Sequence, residues 1–279
     1  EVIIFSPYWV SFPDFVSVTG AKPIFVKTNS QSQFEPNFID LKAKISKNTK
    51  GIIINSPSNP TGGVWSNNAI LKVLEIARDI NAWVFSDECY EQLVYNETFK
   101  SIATFTSSKS ELCSQEKILT FQSCSKTYAM TGWRIGYTIG NKKIIRAMAK
   151  LQGQSTSCPN SIAQYAAIEA LTGPQDCVYR MKKIFQQRRN HVIKLINNLD
   201  DINVEIPQGA FYVFPDFSKY LGKNNINTAS DLSLYLLESK GVVTVAGDSF
   251  GAPGYIRISY ATSEEILSEA FNRIEKAIN

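Results

Sequence analysis

Lys126 closes the run Ser123-Cys124-Ser125-Lys126, and Thr131-Gly132-Trp133-Arg134-Ile135-Gly136 follows five residues later. Two hydroxyls, an amine and a guanidinium are thereby crowded around glycines where a strand pattern gives way to a helical one. An amine beside an anion site suits a cofactor with an aldehyde at one corner and a phosphate at the next. The lysine forms the Schiff base, and the hydroxyls and arginine take the phosphate. Taken singly, Lys126 also reads as a solvated loop lysine.

Other reactive side chains stand at the ends of strand patterns, where ligands bind in open α/β sheets. The apolar run from Gly51 ends in Asn55-Ser56-Pro57-Ser58-Asn59-Pro60-Thr61-Gly62-Gly63, a Pro/Gly turn that fixes the Asn59 amide or is an ordinary loop. The run from Ala82 ends in Ser86-Asp87-Glu88-Cys89-Tyr90, which sets a carboxylate and a phenol at one strand tip; taken alone, Asp87 reads more readily as a helix cap. Arg257 alternates with Ile256 and Ile258 and shares a face with Tyr255 and Ser259, as a salt-bridge partner or a fork for a carboxylate.

The elements that must position these residues alternate. Val2 to Phe5, Ile24 to Val26, Gly51 to Asn55, Ala82 to Ser86, Ile118 to Phe121 and Tyr137 to Ile139 read as strands buried in a mostly parallel sheet flanked by helices. Ser66 caps a helix with Ile70, Val73, Leu74, Ala77 and Ile80 on one face. Asn160 starts another helix through Ala170, and a connecting helix runs from about Asp176 to Leu199. Beyond it lie antiparallel pieces, Ala210 to Phe214, Val242 to Val245 and Tyr255 to Tyr260, and a closing helix with Thr262 and Glu265 as a capping box. The fold class is α/β, with a large domain over residues 1–172 and a connecting helix plus smaller C-terminal α+β domain over 173–279. The chain opens on Glu1-Val2-Ile3-Ile4-Phe5, a strand pattern already under way, which reads as a piece of a longer protein.

Composition removes several classes. The chain has 279 residues, 44% of them hydrophobic, and no apolar run long enough for a membrane span. A formal charge of +4 from 29 basic and 25 acidic residues is scattered, so no nucleic-acid footprint is expected. The densest basic stretch, Lys182, Lys183, Arg188 and Arg189, is expected to face water. His191 is the single histidine, which removes His-rich zinc sites and Ser-His-Asp or Cys-His hydrolases, and it is expected to be exposed rather than catalytic. Cys89, Cys113, Cys124, Cys158 and Cys177 form no CxxC pair and leave one over, which fits a reducing, cytoplasmic compartment and no metal site.

In order and spacing, Ser58-Asn59-Pro60-Thr61-Gly62, Asp87 with Tyr90, the Ser-x-Ser-Lys ending at Lys126, Gly132-Trp133-Arg134-Ile135-Gly136 and Arg257 resemble the class I aminotransferases of pyridoxal phosphate (PLP) fold type I. Pro7-Tyr8-Trp9-Val10-Ser11 and the stretch from Phe250 to Ser263 are most similar to the bacterial aspartate aminotransferase branch that includes prephenate aminotransferases. The resemblance implies that Lys126 carries the cofactor and moves the substrate proton, that Asp87 faces the pyridine nitrogen, and that Asn59 and Tyr90 face the ring oxygen. It further implies that Trp9 stacks on the ring, that Ser123, Ser125 and Arg134 hold the phosphate, and that Arg257, with Trp9 and Asn59, binds the substrate carboxylate.

The implied reaction is PLP-dependent transamination between an amino acid and a 2-oxo acid with ping-pong kinetics: aspartate and 2-oxoglutarate to oxaloacetate and glutamate, with prephenate to arogenate as a further conversion. The implied assembly is a homodimer with shared active sites, and the family's N-terminal segment with its glycine-containing phosphate loop precedes the strand that opens this chain. The same residues also suit another fold type I enzyme such as a β-lyase, or the PLP-sensing domain of a transcription regulator. An inactive remnant that only binds a partner is a third alternative. No residue here is assignable to a distal substrate carboxylate.

Overall fold

The computed structural model describes residues 1–106, 117–223 and 225–278, so Cys113 lies outside the described residues. Seven strands, β1 (Val2–Ser6), β2 (Pro23–Asn29), β3 (Glu35–Pro36), β4 (Gly51–Asn55), β5 (Trp83–Asp87), β6 (Ile118–Ser123) and β7 (Gly136–Gly140), form one sheet in the order β3-β2-β1-β4-β5-β6-β7. The five inner strands are parallel, and the edge strands β3 and β7 run antiparallel to their neighbours. Apolar runs such as Gly51-Ile52-Ile53-Ile54 suit strands covered on both faces.

The helices α1 (Phe12–Ser17), α2 (Phe38–Lys44) and α3 (Asn67–Asp79) fall between these strands. α3 buries Ile70, Val73, Leu74 and Ala77 against Ile52, Ile54 and Val84, and the Ser66 hydroxyl caps it by accepting from the Ala69 N–H at 3.2 Å. After β6 come the single-turn α4 (Cys124–Thr127), then α5 (Lys142–Ser155), α6 (Ser161–Thr172) and α7 (Asp176–Asn197). Asn160 caps α6 by accepting from Ala163 N–H at 3.1 Å.

A small sheet, in the order β8-β10-β9, is built from β8 (Tyr212–Val213), β9 (Val245–Ala246) and β10 (Ile256–Ser259), with α8 (Ala229–Lys240) and α9 (Glu264–Ile278) beside it. Its core gathers Val192 and Ile196 of α7, Leu232 and Leu236 of α8, Phe271 and Ile274 of α9, and also Tyr90, Leu93 and Tyr95 from the loop after β5.

The strand expected over Val242 to Val245 pairs only at β9, and the pieces expected over Ala210 to Phe214 and Tyr255 to Tyr260 shorten to β8 and β10. Three further expectations change. The cap of α9 is Ser263 rather than Thr262, because Ser263 O takes the first helical bond from Leu267 N–H at 3.1 Å and its hydroxyl accepts from Ile266 N–H at 3.4 Å. The third helical position is then Ile266, and Glu265 cannot close a capping box. Arg189 is buried, not solvated: it donates to Pro207 O at 3.1 Å and its guanidinium lies 4.9 Å from the Tyr95 ring centroid, which replaces water for that cation. His191 is half-buried, its Nε2 hydrogen-bonded to Ser268 Oγ at 2.8 Å.

Candidate active site

Strand register brings the carboxyl ends level, with Asn55 opposite Asp87 and Asp87 opposite Phe121. On one side of the sheet Ile53, Phe85, Asp87 and Phe121, with Trp9, Phe12, Phe15 and Cys89, line a cavity of about 440 Å³. The Trp9 ring is held edge-on by Phe12 at 5.4 Å and Phe15 at 5.5 Å. Asp87 is the one charged side chain in the lining. Its Oδ1 accepts from Cys89 N–H at 3.1 Å, a local turn contact, and among the described residues no lysine or arginine pairs with it. Burial pushes its carboxyl up from the ordinary range, against the opposing pull of the Cys89 thiol and N–H.

The turn after β6 carries the amine. Ser123 caps α4, accepting from Ser125 N–H at 3.1 Å and donating to Ile135 O at 3.2 Å, so its hydroxyl is engaged locally. The Ser125 hydroxyl has no hydrogen bond among the described residues, while Ser125 O accepts from Thr131 Oγ1 at 3.0 Å and tightens the turn. Arg134 is exposed, in the left-handed backbone region at φ 54°, and donates one Nη to Thr131 O at 3.0 Å. Lys126 Nζ lies 5.7 Å from the Phe211 ring centroid, and among the described residues no carboxylate pairs with it. Burial lowers its pKa, opposed by the Cys89 thiol and reinforced by the Arg257 and Arg134 cations.

Asn59 and Arg257 meet from opposite ends of the chain. Asn59 N–H is fixed by Asn55 Oδ1 at 2.9 Å, and the Asn59 side-chain oxygen accepts from Arg257 Nη1 at 2.8 Å. The loop of Asn59 is tied to the segment before β8, where Gln208 and Gly209 N–H donate to Gly62 O at 3.0 and 2.8 Å. Gly62 sits at φ +69°, and a Cβ there would collide with Pro207, so glycine is what allows the approach. The Arg257 guanidinium is held between the rings of Tyr212 at 4.5 Å and Phe250 at 5.1 Å, and its Nε is buried without a partner. The salt-bridge alternative for Arg257 is not realised among the described residues. Tyr90 is buried and its hydroxyl pairs with the Tyr212 hydroxyl at 2.9 Å.

The sequence left Tyr212, Phe211, Phe250, Cys89 and Glu91 unassigned. Glu91 is half-buried: its Oε1 accepts from Thr127 Oγ1 at 3.3 Å, its Oε2 has no partner, and burial pushes its pKa to about 7. Cys89 was two residues from Asp87 and open to suspicion on spacing alone; Tyr212 and Phe250 reach Arg257 only through the fold.

These residues suit a carbonyl compound with a cationic ring, and the unengaged Ser125 hydroxyl and the exposed Arg134 are the groups beside the amine left for a phosphate. Asp87 is a carboxylate in an apolar cavity with no cation of its own, Lys126 is an amine whose neutral form is favoured, and the buried Arg257 Nε lacks an acceptor. PLP meets that description.

Residues 1–274 match the family Aminotransferase class I and II. The chain is 42% identical over 282 residues to a probable aspartate/prephenate aminotransferase of Rhizobium leguminosarum bv. phaseoli, covering 99% of this chain and 70% of that protein. It is 41% identical over 280 residues to an aspartate aminotransferase of Bacillus sp., covering 100% of this chain and 70% of the relative. The crystal structure of the aspartate aminotransferase from Rhizobium meliloti superposes with a TM-score of 0.91 at 38% identity, over 100% of this chain and 70% of that one. With a family match across almost its entire length and the fold of such enzymes, this chain belongs to the class I and II aminotransferases.

Proposed function

We propose that this PLP-dependent aminotransferase takes the amino group of aspartate and delivers it to 2-oxoglutarate, with prephenate as a further acceptor. The observation that carries the reading is Arg257, a cation locked by Asn59 and two aromatic rings with its Nε left unpaired. Such an arginine is preorganised for a carboxylate, and its charge acts on the Lys126 amine, which supports a carboxylate held near that amine. The aspartate donor and the prephenate acceptor are supported by the relatives named for them.

In this reading Asp87 faces the pyridine nitrogen, Asn59 and Tyr90 face the ring oxygen, Trp9 covers the ring, and Ser125 and Arg134 hold the phosphate with Ser123, whose hydroxyl must turn its proton from Ile135 O to do so. When bound, PLP supplies a carbonyl that condenses with amines and an electron sink for the pair left on the substrate α-carbon. Lys126 is the residue that would bond the cofactor's carbonyl carbon, and its freed amine would carry the proton from the substrate α-carbon to that cofactor carbon. Asp87 would hold the ring nitrogen in its protonated form; its own environment, hostile to an unpaired negative charge, would become favourable with a cation against it. Arg257 orients the substrate so that the bond to be broken aligns with the ring.

The division into residues 1–172 and 173–279 is supported by two main cores, one under the large sheet and one among α7, α8, α9 and the small sheet, the latter joined by Tyr90, Leu93 and Tyr95 from the first part of the chain. A homodimer is supported by Leu151, Ile162, Tyr165 and Ile168, large apolar side chains exposed on α5 and α6. No helix among the described residues is long and apolar enough to cross a membrane, and the cytoplasmic assignment rests on the cysteine pattern.

The test is a donor and acceptor screen on the holoenzyme. Aspartate with 2-oxoglutarate should yield oxaloacetate and glutamate without ammonia. A visible band that responds to aromatic or branched donors but not to aspartate would overturn the donor assignment, and release of ammonia would favour a lyase.

A further inference from the structure

Tyr212 occupies a place that none of the roles above accounts for. It is one of two residues in β8, buried, and it makes two contacts with groups assigned to different molecules. Its hydroxyl is 2.9 Å from the hydroxyl of Tyr90, and its ring face lies 4.5 Å from the centre of the Arg257 guanidinium. Tyr90 reaches this point from the loop after β5 and Arg257 from β10, which pairs with β8 through Ile258 opposite Val213 and Ser259 opposite Tyr212. The contact between Tyr90 and Tyr212 spans 122 residues of sequence.

We propose that Tyr212 is a positioning residue: its hydroxyl orients and polarises the Tyr90 hydroxyl, and its ring holds Arg257 at the angle needed for the substrate carboxylate. The proposal rests on the reading in which Tyr90 faces the cofactor's ring oxygen and Arg257 the substrate. A phenol has one proton to give and lone pairs to receive with. If Tyr90 spends its proton on the ring oxygen, the proton between the two tyrosines must come from Tyr212. Donation into Tyr90 makes it a stronger donor in turn, since hydrogen bonds in a chain polarise one another. Tyr212 donates to no other acceptor among the described residues, so its proton is free for this use. The ring contact is independent of the hydroxyl. A guanidinium over a buried phenol face is held by the ring's electron density as well as by packing, and Asn59 fixes its Nη1 edge. One side chain therefore couples the cofactor side of the site to the substrate side.

Two substitutions separate the contacts. Tyr212→Phe deletes the hydroxyl and keeps the ring; Tyr212→Leu deletes both. The readouts on the holoenzyme are the pH midpoint of the cofactor's visible absorbance and the Michaelis constant for the amino acid. Weakening a donor chain to the ring oxygen makes that oxygen more basic, so Tyr212→Phe should move the midpoint upward by about half a pH unit, the worth of one modest hydrogen bond. It should leave KM within about twofold, whereas Tyr212→Leu should raise KM roughly fivefold. With Tyr90→Phe already in place, Tyr212→Phe should add no further shift in midpoint.

Tyr90→Phe is the control that separates the two levels of the argument. If it leaves the midpoint unchanged, Tyr90 does not face the ring oxygen, and the underlying reading falls together with the proposal. If Tyr90→Phe moves the midpoint and Tyr212→Phe does not, or if their shifts add in full, the reading stands and the role of Tyr212 is overturned. Both phenylalanine variants remove a single hydroxyl from a packed site, so the comparison survives even if Tyr212→Leu fails to fold.

Discussion

Arg257 Nη1 donates to the side-chain oxygen of Asn59 at 2.8 Å, although 198 residues separate them. The bond joins the loop after β4 to the strand β10 of the small sheet and leaves the buried Nε without a protein acceptor among the described residues. Arg257→Lys keeps the charge and loses the fork. It should lower kcat/KM for the amino acid about 100-fold, mostly through KM, while the cofactor still binds with unchanged absorbance. Steady-state kinetics with a spectrum of the variant checks both halves.

Lys126 is the expected attachment point. Borohydride reduction of the holoenzyme should leave cofactor covalently on the peptide containing Lys126, and Lys126→Ala should abolish the label. Turnover should fall by about four orders of magnitude with the loss of the proton-transfer group. Peptide mapping by mass spectrometry gives the answer, and label elsewhere would remove Lys126 from its role.

Asp87 gives a prediction with opposite signs for function and stability. In the apoprotein it is a carboxylate pressed into an apolar cavity without a cation, so Asp87→Asn should raise the melting temperature of the apo form. In the holoenzyme the same change removes the partner of the ring nitrogen, and kcat should fall about 10²- to 10³-fold. Thermal melts of the apo form and turnover of the holo form are the paired measurements.

Glu91 sets a pH dependence. Burial raises its folded pKa from 4.5 to about 7, so the folded state binds the proton more tightly than the unfolded chain between those values. Its contribution to stability is fully present below about pH 4.5 and is lost as pH rises through 7. Glu91→Gln should flatten that decline and leave the protein more stable than the parent at pH 8, by on the order of 1–3 kcal/mol. Urea unfolding at pH 5 and pH 8 measures it.

Gly62→Ala should cost roughly 2–4 kcal/mol, since it combines an unfavourable positive φ with overpacking against Pro207. The urea midpoint of the variant reports the loss.

Much of the scaffold was legible because local chemistry wrote it. β4 was bounded correctly by an apolar run and a following turn, Ser66 and Asn160 announced the helices they cap, Lys126 and Asp87 stood at a turn and a strand end, and Arg257 stood in an alternating strand. The helices α1, α2, α5 and α8 passed unread. α1 is short, and α5 buries no side chain, so its apolar residues do not mark a core-facing stripe. The Tyr90 to Tyr212 bond and the two-ring clamp on Arg257 were illegible for a different reason. They are contacts between segments far apart in the chain, and nothing in the Gly209-Ala210-Phe211-Tyr212 stretch says which partner it will meet. Arg189 misled because a cation in a basic stretch is expected in water, and only the carbonyl of Pro207 and the Tyr95 ring explain its burial.

The register of β4, β5 and β6 has a consequence for how this chain can vary. Phe85 and Asp87 look into the cavity, while Val84 and Ser86 look into the opposite core or its edge. A slip of one residue along β5 would present Ser86 to the cavity and drive a carboxylate into the apolar layer beneath α3. The backbone ladder is thus a ruler with a two-residue graduation, and reactivity is read from it. Lengthening or shortening β5 by a single residue should silence the chemistry even where every side chain named above is retained.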